Sequence, residues 1–330
     1  MRAPARVYLL LLLAAAAALF FFVLLKRERP PERPVLFIAA PQPQVELIPL
    51  YLAAARGTFA AAGIEVRFTN VGTGRPLPRG AVLRVCGLEE VIYRALAGQH
   101  EKAVLALTQQ ADAVLLGRRP PFSWSGLKQK TIISPEPTSA TTALVETLLR
   151  RNGVYPHREA VLLMNLPLPL RIPAFLAGVG DYLVAPEPAA TLLWQQKRVF
   201  LATPLQFSRP LCLTVIAAPE EWVLPNRAAL AAFQQAAAAG AAYLYAHPAA
   251  EIAGLVAPYF PHLSLPTLEK VIARGQRMRL WYVTANPGPD RLNSLQELLQ
   301  QAGELPAPLP YETIFLAPAP PNQKQPRPEQ

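Results

Sequence analysis

IPLYLAAARGTFAAAGIEVRFTN, residues 48–70, changes character partway along. Its first sixteen residues are rich in alanine and leucine and read as helical, with Gly63 placed as a carboxyl-terminal cap. IEVRFTN (64–70) then reads as a strand, and VLFIAAP (35–41), a short apolar β-branched run upstream, reads as a buried one. The order strand, helix, strand continues downstream. After the glycine-rich turn GTG (72–74) come strand AVLRVC (81–86) and helix LEEVIYRALAG (88–98), whose two glutamates sit at the favourable end of the helix dipole. KAVLALT (102–108) and ADAVLLG (111–117) read as further strands. The alternation predicts an α/β fold with a mainly parallel sheet.

A second unit begins near FSWSGLKQKTIIS (122–134), where TIIS is a strand. SATTALVETLLRRNG (139–153) is a helix with Ser and Thr caps and a terminal glycine. AVLLMN (160–165) and YLVAP (182–186) supply two strands around the short helix RIPAFLAG, and LCLTVIAAP (211–219) is again strand-like. The remainder reads as mostly helical: Asn226 caps a long alanine-rich helix, Pro248 starts another, and Asp290 caps RLNSLQELLQQ, whose Leu292, Leu295, Leu298 and Leu299 share a face.

The chain has 330 residues, more than half of them apolar, enough for two compact units with a sizeable core. Its formal charge is +10, but the first 34 residues hold six basic and two acidic side chains, leaving a scattered +6 for the rest, without a basic stripe for nucleic acid. Residues 7–25 form an unbroken apolar run, roughly 28 Å as a helix, matching a bilayer core. Arg2 and Arg6 precede it; Lys26, Arg27 and Arg29 follow. The alanines lie inside the run rather than at its end, so an uncleaved signal anchor is favoured over a cleaved signal peptide. Counting basic residues alone would place the carboxyl side in the cytoplasm. ERPPERP (28–34) is a stiff spacer, and residues 317–330 form a proline-rich polar tail expected to be disordered.

No phosphate loop, nucleophile elbow or histidine–cysteine metal spacing is present, and no cofactor is implied. In an open α/β sheet, ligands bind outside the carboxyl ends of the strands. The loops there are 41–51, 72–74, 87–89, 108–110, 135–142, 165–171 and 186–188. They make Tyr51, Gly72, Gly87, Glu89, Thr108, Ser139, Thr141, Asn165, Arg171 and Glu187 candidate ligand-binding residues, with capping and turn formation as the plain alternative.

IPLYLAAARGTFAAAGIEV resembles the opening segment of the sulfonate, nitrate and taurine type of periplasmic binding proteins, and more closely that of the thiamine-pyrimidine-precursor binders and the related "no message in thiamine" proteins. LEEVIYRALAGQ, SGLKQKTIISPEPTSATTALVETLLRRNGV, AFLAGVGDYLVAPEPAATLL, AEIAGLVAPYFPHLSLPTLEKVIARGQ and LNSLQELLQQAGELPAPLPYETIF are similar to that pattern in the same order. The resemblance implies a periplasmic binding protein type 2 fold, two α/β lobes joined by two crossovers: 35–121 as the first lobe, 122–209 as the second, and 210–316 returning to the first. It implies a non-enzymatic solute-binding component of an ABC importer, delivering a small molecule to a permease driven by an ATPase. It also implies a monomer on the extracytoplasmic face of the cytoplasmic membrane, anchored by residues 7–25 or released if they are cleaved, which overrides the basic-residue count. Alternatives are a pyrimidine-precursor biosynthetic enzyme of the same fold, which would call for a histidine near the first loop and a cysteine cluster, and a tethered ligand sensor.

Within that resemblance, Glu187 in GDYLVAPEPAATLL (180–193) ends the last strand of the second lobe, where the family has Glu-Pro facing the cleft. Flanking prolines fix the backbone, so the carboxylate is either presented to a ligand or serves as a hinge-side structural group. Glu89 and Glu187 facing the cleft would disfavour a strongly anionic ligand, while Arg171 could hold one acidic group. A neutral or heteroaromatic metabolite such as a pyrimidine is expected. RPLPRG (75–80) replaces the usual entry to a helix, which would trim the pocket. Cys86 ends one strand and Cys212 begins the returning one. If the two run antiparallel side by side, a disulfide is possible, with two buried free thiols as the alternative.

Overall fold

β1 (Val35–Ala40) hydrogen-bonds in parallel to β2 (Glu65–Asn70) on one side and β3 (Ala81–Gly87) on the other. The computed structural model describes residues 33–40, 44–71 and 81–316. The expected membrane segment 7–25, the spacer through residue 32, Gly72 with the GTG turn, residues 75–80 and the tail from 317 lie outside the described residues. No helix among the described residues is long and apolar enough to cross a membrane.

Two sheets form. The first has the order β11-β4-β10-β3-β1-β2 and the second β7-β6-β8-β5-β9, where β4 is Glu101–Thr108, β5 Ala113–Gly117, β6 Thr131–Ile133, β7 Val161–Leu163, β8 Tyr182–Pro186, β9 Phe200–Pro204, β10 Thr214–Pro219 and β11 Trp281–Thr284. The helices are α1 (Ile48–Ala55), α2 (Thr58–Ala61), α3 (Leu88–Leu96), α4 (Ala140–Arg151), α5 (Leu168–Leu176), α6 (Ala189–Gln195), α7 (Glu220–Val223), α8 (Arg227–Ala246), α9 (Ala249–Val256), α10 (Leu265–Arg277), α11 (Pro289–Gln301) and α12 (Tyr311–Ile314).

Five expectations are corrected. The sheets are mixed rather than mainly parallel, because each strand that follows a crossover is inserted antiparallel: β5 between β8 and β9, and β10 between β3 and β4. β5 belongs to the second sheet, so the first crossover falls at 109–112 and not beyond residue 121; the return runs through 205–213. The helix expected over 48–63 breaks where Gly57 takes φ +69°, a left-handed conformation open to glycine, and resumes as α2 before Gly63 at φ +77°. Asn226 holds the first-cap position of α8 but donates its side chain to the Trp222 carbonyl, and Gly288 rather than Asp290 precedes α11.

The central strands β4, β5, β8 and β10 are buried on both faces, which is why they read as continuous apolar runs. Along β5, Val114 and Leu116 pack with Phe175 of α5 and Leu193 of α6, whereas Ala113 and Leu115 enter a core with Leu144 of α4 and Leu295 of α11. That second core also takes Cys86, Val215 and Ala217 from the first sheet and so joins the two sheets. The other face of the first sheet is covered by α1, α8, α9 and α10, with Trp281 donating its indole N–H to the Val45 carbonyl at 3.0 Å. Gly240 of α8 lies so close to the Pro49 carbonyl that no side chain would fit between the helices.

β10 does run antiparallel beside β3, but the register sets Val215, not Cys212, opposite Cys86. Both cysteines are free and buried, so the disulfide does not form.

Candidate ligand-binding site

The two crossovers meet at the carboxyl ends of β3 and β4. Gln110 donates to the Phe207 carbonyl (3.1 Å) and accepts the Phe207 N–H (2.9 Å), tying one connection to the other. Thr108 ends β4; its carbonyl takes the N–H of Leu213 and its hydroxyl that of Thr214. Around this junction lie two contiguous cavities, which share Asp112 and Thr141.

The first cavity, about 110 Å³, is polar and lined by Glu46, Gly87, Glu89, Gln110, Asp112 and Thr141, with Ala111, Ala140, Leu213 and Thr214 completing it. Glu89 stands in the first turn of α3, directly after β3. Its Oε1 accepts the backbone N–H of Ala140 at the start of α4 (3.0 Å), bridging the two sheets' helices, while Oε2 is buried without a partner. Gly87 leaves room for the Glu89 carboxylate, and a Cβ there would have to push that side chain aside. Burial pushes the Glu89 carboxyl up to about 7 against the pull of the Ala140 N–H, with Glu90 and Glu136 adding to the rise. Burial also raises Glu46, and raises Asp112 well above the ordinary carboxylate range, with Glu46 reinforcing the latter. Three carboxyl groups thus surround one small space.

The second cavity, about 130 Å³, is mostly apolar: Leu168, Ile172, Leu183, Val184, Ala185 and Pro135 line it, together with Arg171. Arg171 already donates to Glu136 Oε2 (2.6 Å) and to the Leu166 carbonyl (3.0 Å).

Of the residues expected from the sequence, Gly87, Glu89, Thr141 and Arg171 therefore line this pair of cavities. Ser139 caps α4, accepting the Thr141 N–H at 3.3 Å, and Thr108 holds Thr214 from behind. Asn165 lies on a separate open depression with Pro137 and Met164. Tyr51 is fully buried, stacked on Tyr259 at 4.1 Å between centroids, and burial raises its hydroxyl pKa. Glu187 lines neither cavity. Its Oε2 accepts the Thr191 N–H (3.0 Å), capping α6, and its Oε1 meets the Thr191 hydroxyl and Arg274 of α10. The carboxylate between two prolines is thereby a clamp between a second-sheet helix and a helix beneath the first sheet. Glu46, Gln110 and Asp112, which also line the polar cavity, are not among the residues expected from the sequence. Asp112, a lone acid at the mouth of the apolar run ADAVLLG, carries the same signal that drew attention to Glu187.

The family model described as NMT1/THI5 like matches residues 44–251. The chain belongs to this family. The putative binding protein YtlA of Bacillus subtilis is 24% identical over 277 residues, covering 81% of this chain and 83% of that protein. Among solved structures, the alkanesulfonate-binding protein SsuA from Xanthomonas axonopodis pv. citri, bound to MOPS, superposes with a TM-score of 0.65 at 15% identity, over 85% of this chain and 97% of that one. The desulfurization enzyme DSZB superposes at 0.62 with 14% identity, over 86% and 96%. The two-sheet fold is thus that of periplasmic binding proteins of type 2, here in an NMT1/THI5-like chain.

Proposed function

We propose that this NMT1/THI5-like protein is the solute-binding component of an ABC importer, taking up a small organic molecule between two lobes built on the two sheets and handing it to a permease outside the cytoplasmic membrane. One observation carries the reading: a polar and an apolar cavity share a wall, Asp112 and Thr141, where both crossovers connect the lobes. A ligand there touches both lobes at once, so binding favours the closed arrangement. The likeness to YtlA and SsuA, both binding proteins by name, supports the same conclusion.

Capture without covalent chemistry is supported by the thiols. Cys86 and Cys212 are both buried, and burial pushes the pKa of Cys86 upward and that of Cys212 up to about 12, leaving neither as a thiolate nucleophile. The anchor at residues 7–25 would hold the protein beside its permease.

A thermal-shift screen of vitamins, pyrimidines, sulfonates and amines tests the reading. A ligand at a hundred times its dissociation constant adds about 2.7 kcal/mol of stability. Thr141→Trp, which fills the shared wall, is expected to abolish that gain in a protein that still folds. Chemical conversion of the bound compound, or a gain that survives Thr141→Trp, would overturn the proposal.

A further inference from the structure

We propose that the ligand is an organic cation, an ammonium or amidinium whose charged nitrogen sits among Glu46, Glu89 and Asp112 and whose apolar body fills the adjoining cavity. This rests on the ligand-binding reading above and names the ligand class of the same site.

The charge arithmetic of the lining favours it. Three acidic side chains line the polar cavity, and the single cation lining the pair, Arg171 of the apolar cavity, is already matched by Glu136 at 2.6 Å. An anion brought here would meet three acids and no free counter-charge. Glu89 supplies an independent sign of a missing partner. Its Oε2 is buried and unbonded while its Oε1 is satisfied by Ala140, and a buried carboxylate oxygen without a donor is costly. A ligand N–H would remove that cost.

A metal ion is the wrong shape of guest. Among the described residues no group of three or more His, Cys, Asp or Glu is close enough to hold one. The carboxyl groups ring the space rather than converge on a point, which suits a planar or extended nitrogen cation with several N–H donors. The neighbouring wall of Leu168, Ile172 and Leu183 offers apolar surface. A cavity of about 150 Å³ accommodates benzene, so the two spaces together suit a body of about ten non-hydrogen atoms.

The acids are also primed for such a guest. Burial favours the neutral form of all three, with the Glu89 carboxyl pushed up to about 7, whereas a cation beside them favours the charged form, so its binding releases protons. Glu89 is faced by Glu46 and Asp112 across the cavity, by Tyr93 and the Arg84-paired Glu90 on its own helix, by the Arg171-paired Glu136 and the Ala140 N–H from the second sheet's side, and by the thiols of Cys86 and Cys212, with Arg84 and Arg291 behind those thiols. Arg84 and Arg171 are each paired with another acid, so affinity for a positive ligand rises with pH as the three carboxyls ionise.

The test uses three isosteric probes on the full chain: benzamidinium, benzamide and benzoate, by titration calorimetry at pH 6, 7 and 8. Benzamidinium is expected to bind at least tenfold tighter than benzamide, with benzoate weakest, and to gain at least fivefold in affinity from pH 6 to 8 with measurable proton release. Glu89→Gln and Asp112→Asn are each expected to cost benzamidinium tenfold or more and benzamide less than twofold, a split that loosened packing would not produce. Benzoate or benzamide binding as tightly as benzamidinium, or a cation affinity indifferent to both substitutions, overturns the cation assignment and leaves the cleft standing. So does a tight neutral or anionic ligand from the thermal-shift screen when benzamidinium does not bind. If neither the probes nor that screen yield any ligand, both proposals fall.

Discussion

Arg274→Met puts the clamp between the lobes to the test. Arg274 stands on α10, which packs with α9 beneath the first sheet, while Glu187 and Thr191 occupy the junction of β8 and α6 in the second. The Arg274 guanidinium meets Glu187 Oε1 and, at 3.0 Å, the Thr191 hydroxyl; the side chains of the pair are 11% and 5% exposed. Removing the arginine leaves a buried carboxylate with one N–H and one hydroxyl but no counter-charge. Breaking one side of a buried pair costs about 3–5 kcal/mol. Because Thr191 continues to serve both oxygens, the lower figure, about 3 kcal/mol, is expected. For a body of this size that lowers the melting temperature by about 5 °C. Glu187→Gln combined with Arg274→Met removes both charges, so the double variant is expected to lose only about 1 kcal/mol, a coupling of roughly 2 kcal/mol or more. Urea denaturation followed by circular dichroism on wild type, both single variants and the double gives the cycle. A loss below about 1 kcal/mol for Arg274→Met, or simple additivity, would refute the reasoning. Glu187→Gln alone is expected to leave ligand affinity unchanged, since its carboxylate lies outside both cavities.

Three further outcomes follow from the geometry. Glu89 has a folded-state pKa of about 7 against an ordinary 4.5, so the native state holds the extra proton between those values and the group's contribution to stability falls as pH rises through 7. Glu89→Gln, without ligand, is therefore expected to gain about 2 kcal/mol on wild type between pH 5 and 8 by urea denaturation; a constant difference would contradict the burial argument. Gly240→Ala is expected to cost about 2 kcal/mol by forcing α8 away from α1, and a neutral result would mean the helices part freely. Cys86 and Cys212 should resist a thiol reagent in the native protein and both titrate after denaturation without reductant, whereas titration of neither would point to a bridge.

The strands were legible where burial on both faces left an unbroken apolar run, as in VLFIAA and VLLG, and the helices where glutamates or serine marked their starts, as in α3 and α4. β9 and β11 escaped because Phe200–Pro204 is only partly buried at a sheet edge and Trp281–Thr284 spans four residues on another. β5 was visible as a strand, but its allegiance was not: a sequence run reports that both faces are buried, not which sheet buries them. The site divides in the same way. Gly87 and Glu89 are local, since the glycine's closeness to the carboxylate lies within three residues. The role of Glu187 depends on Arg274, 87 positions away, and the acidic ring depends on Glu46 and Asp112 arriving from different connections. Long-range partnership of that kind leaves no periodic trace.

The Gln110–Phe207 pair has a mechanical meaning beyond holding two loops together. Two independent tethers would let the halves of the molecule swivel and shear as well as open. Cross-stitched, the tethers are expected to behave as one flat strap, stiffer in torsion than two separate connections. Swinging motion is then expected to follow one track, and because Gln110 also lines the polar cavity, cutting the stitch would widen the repertoire of movements at the wall of the site itself.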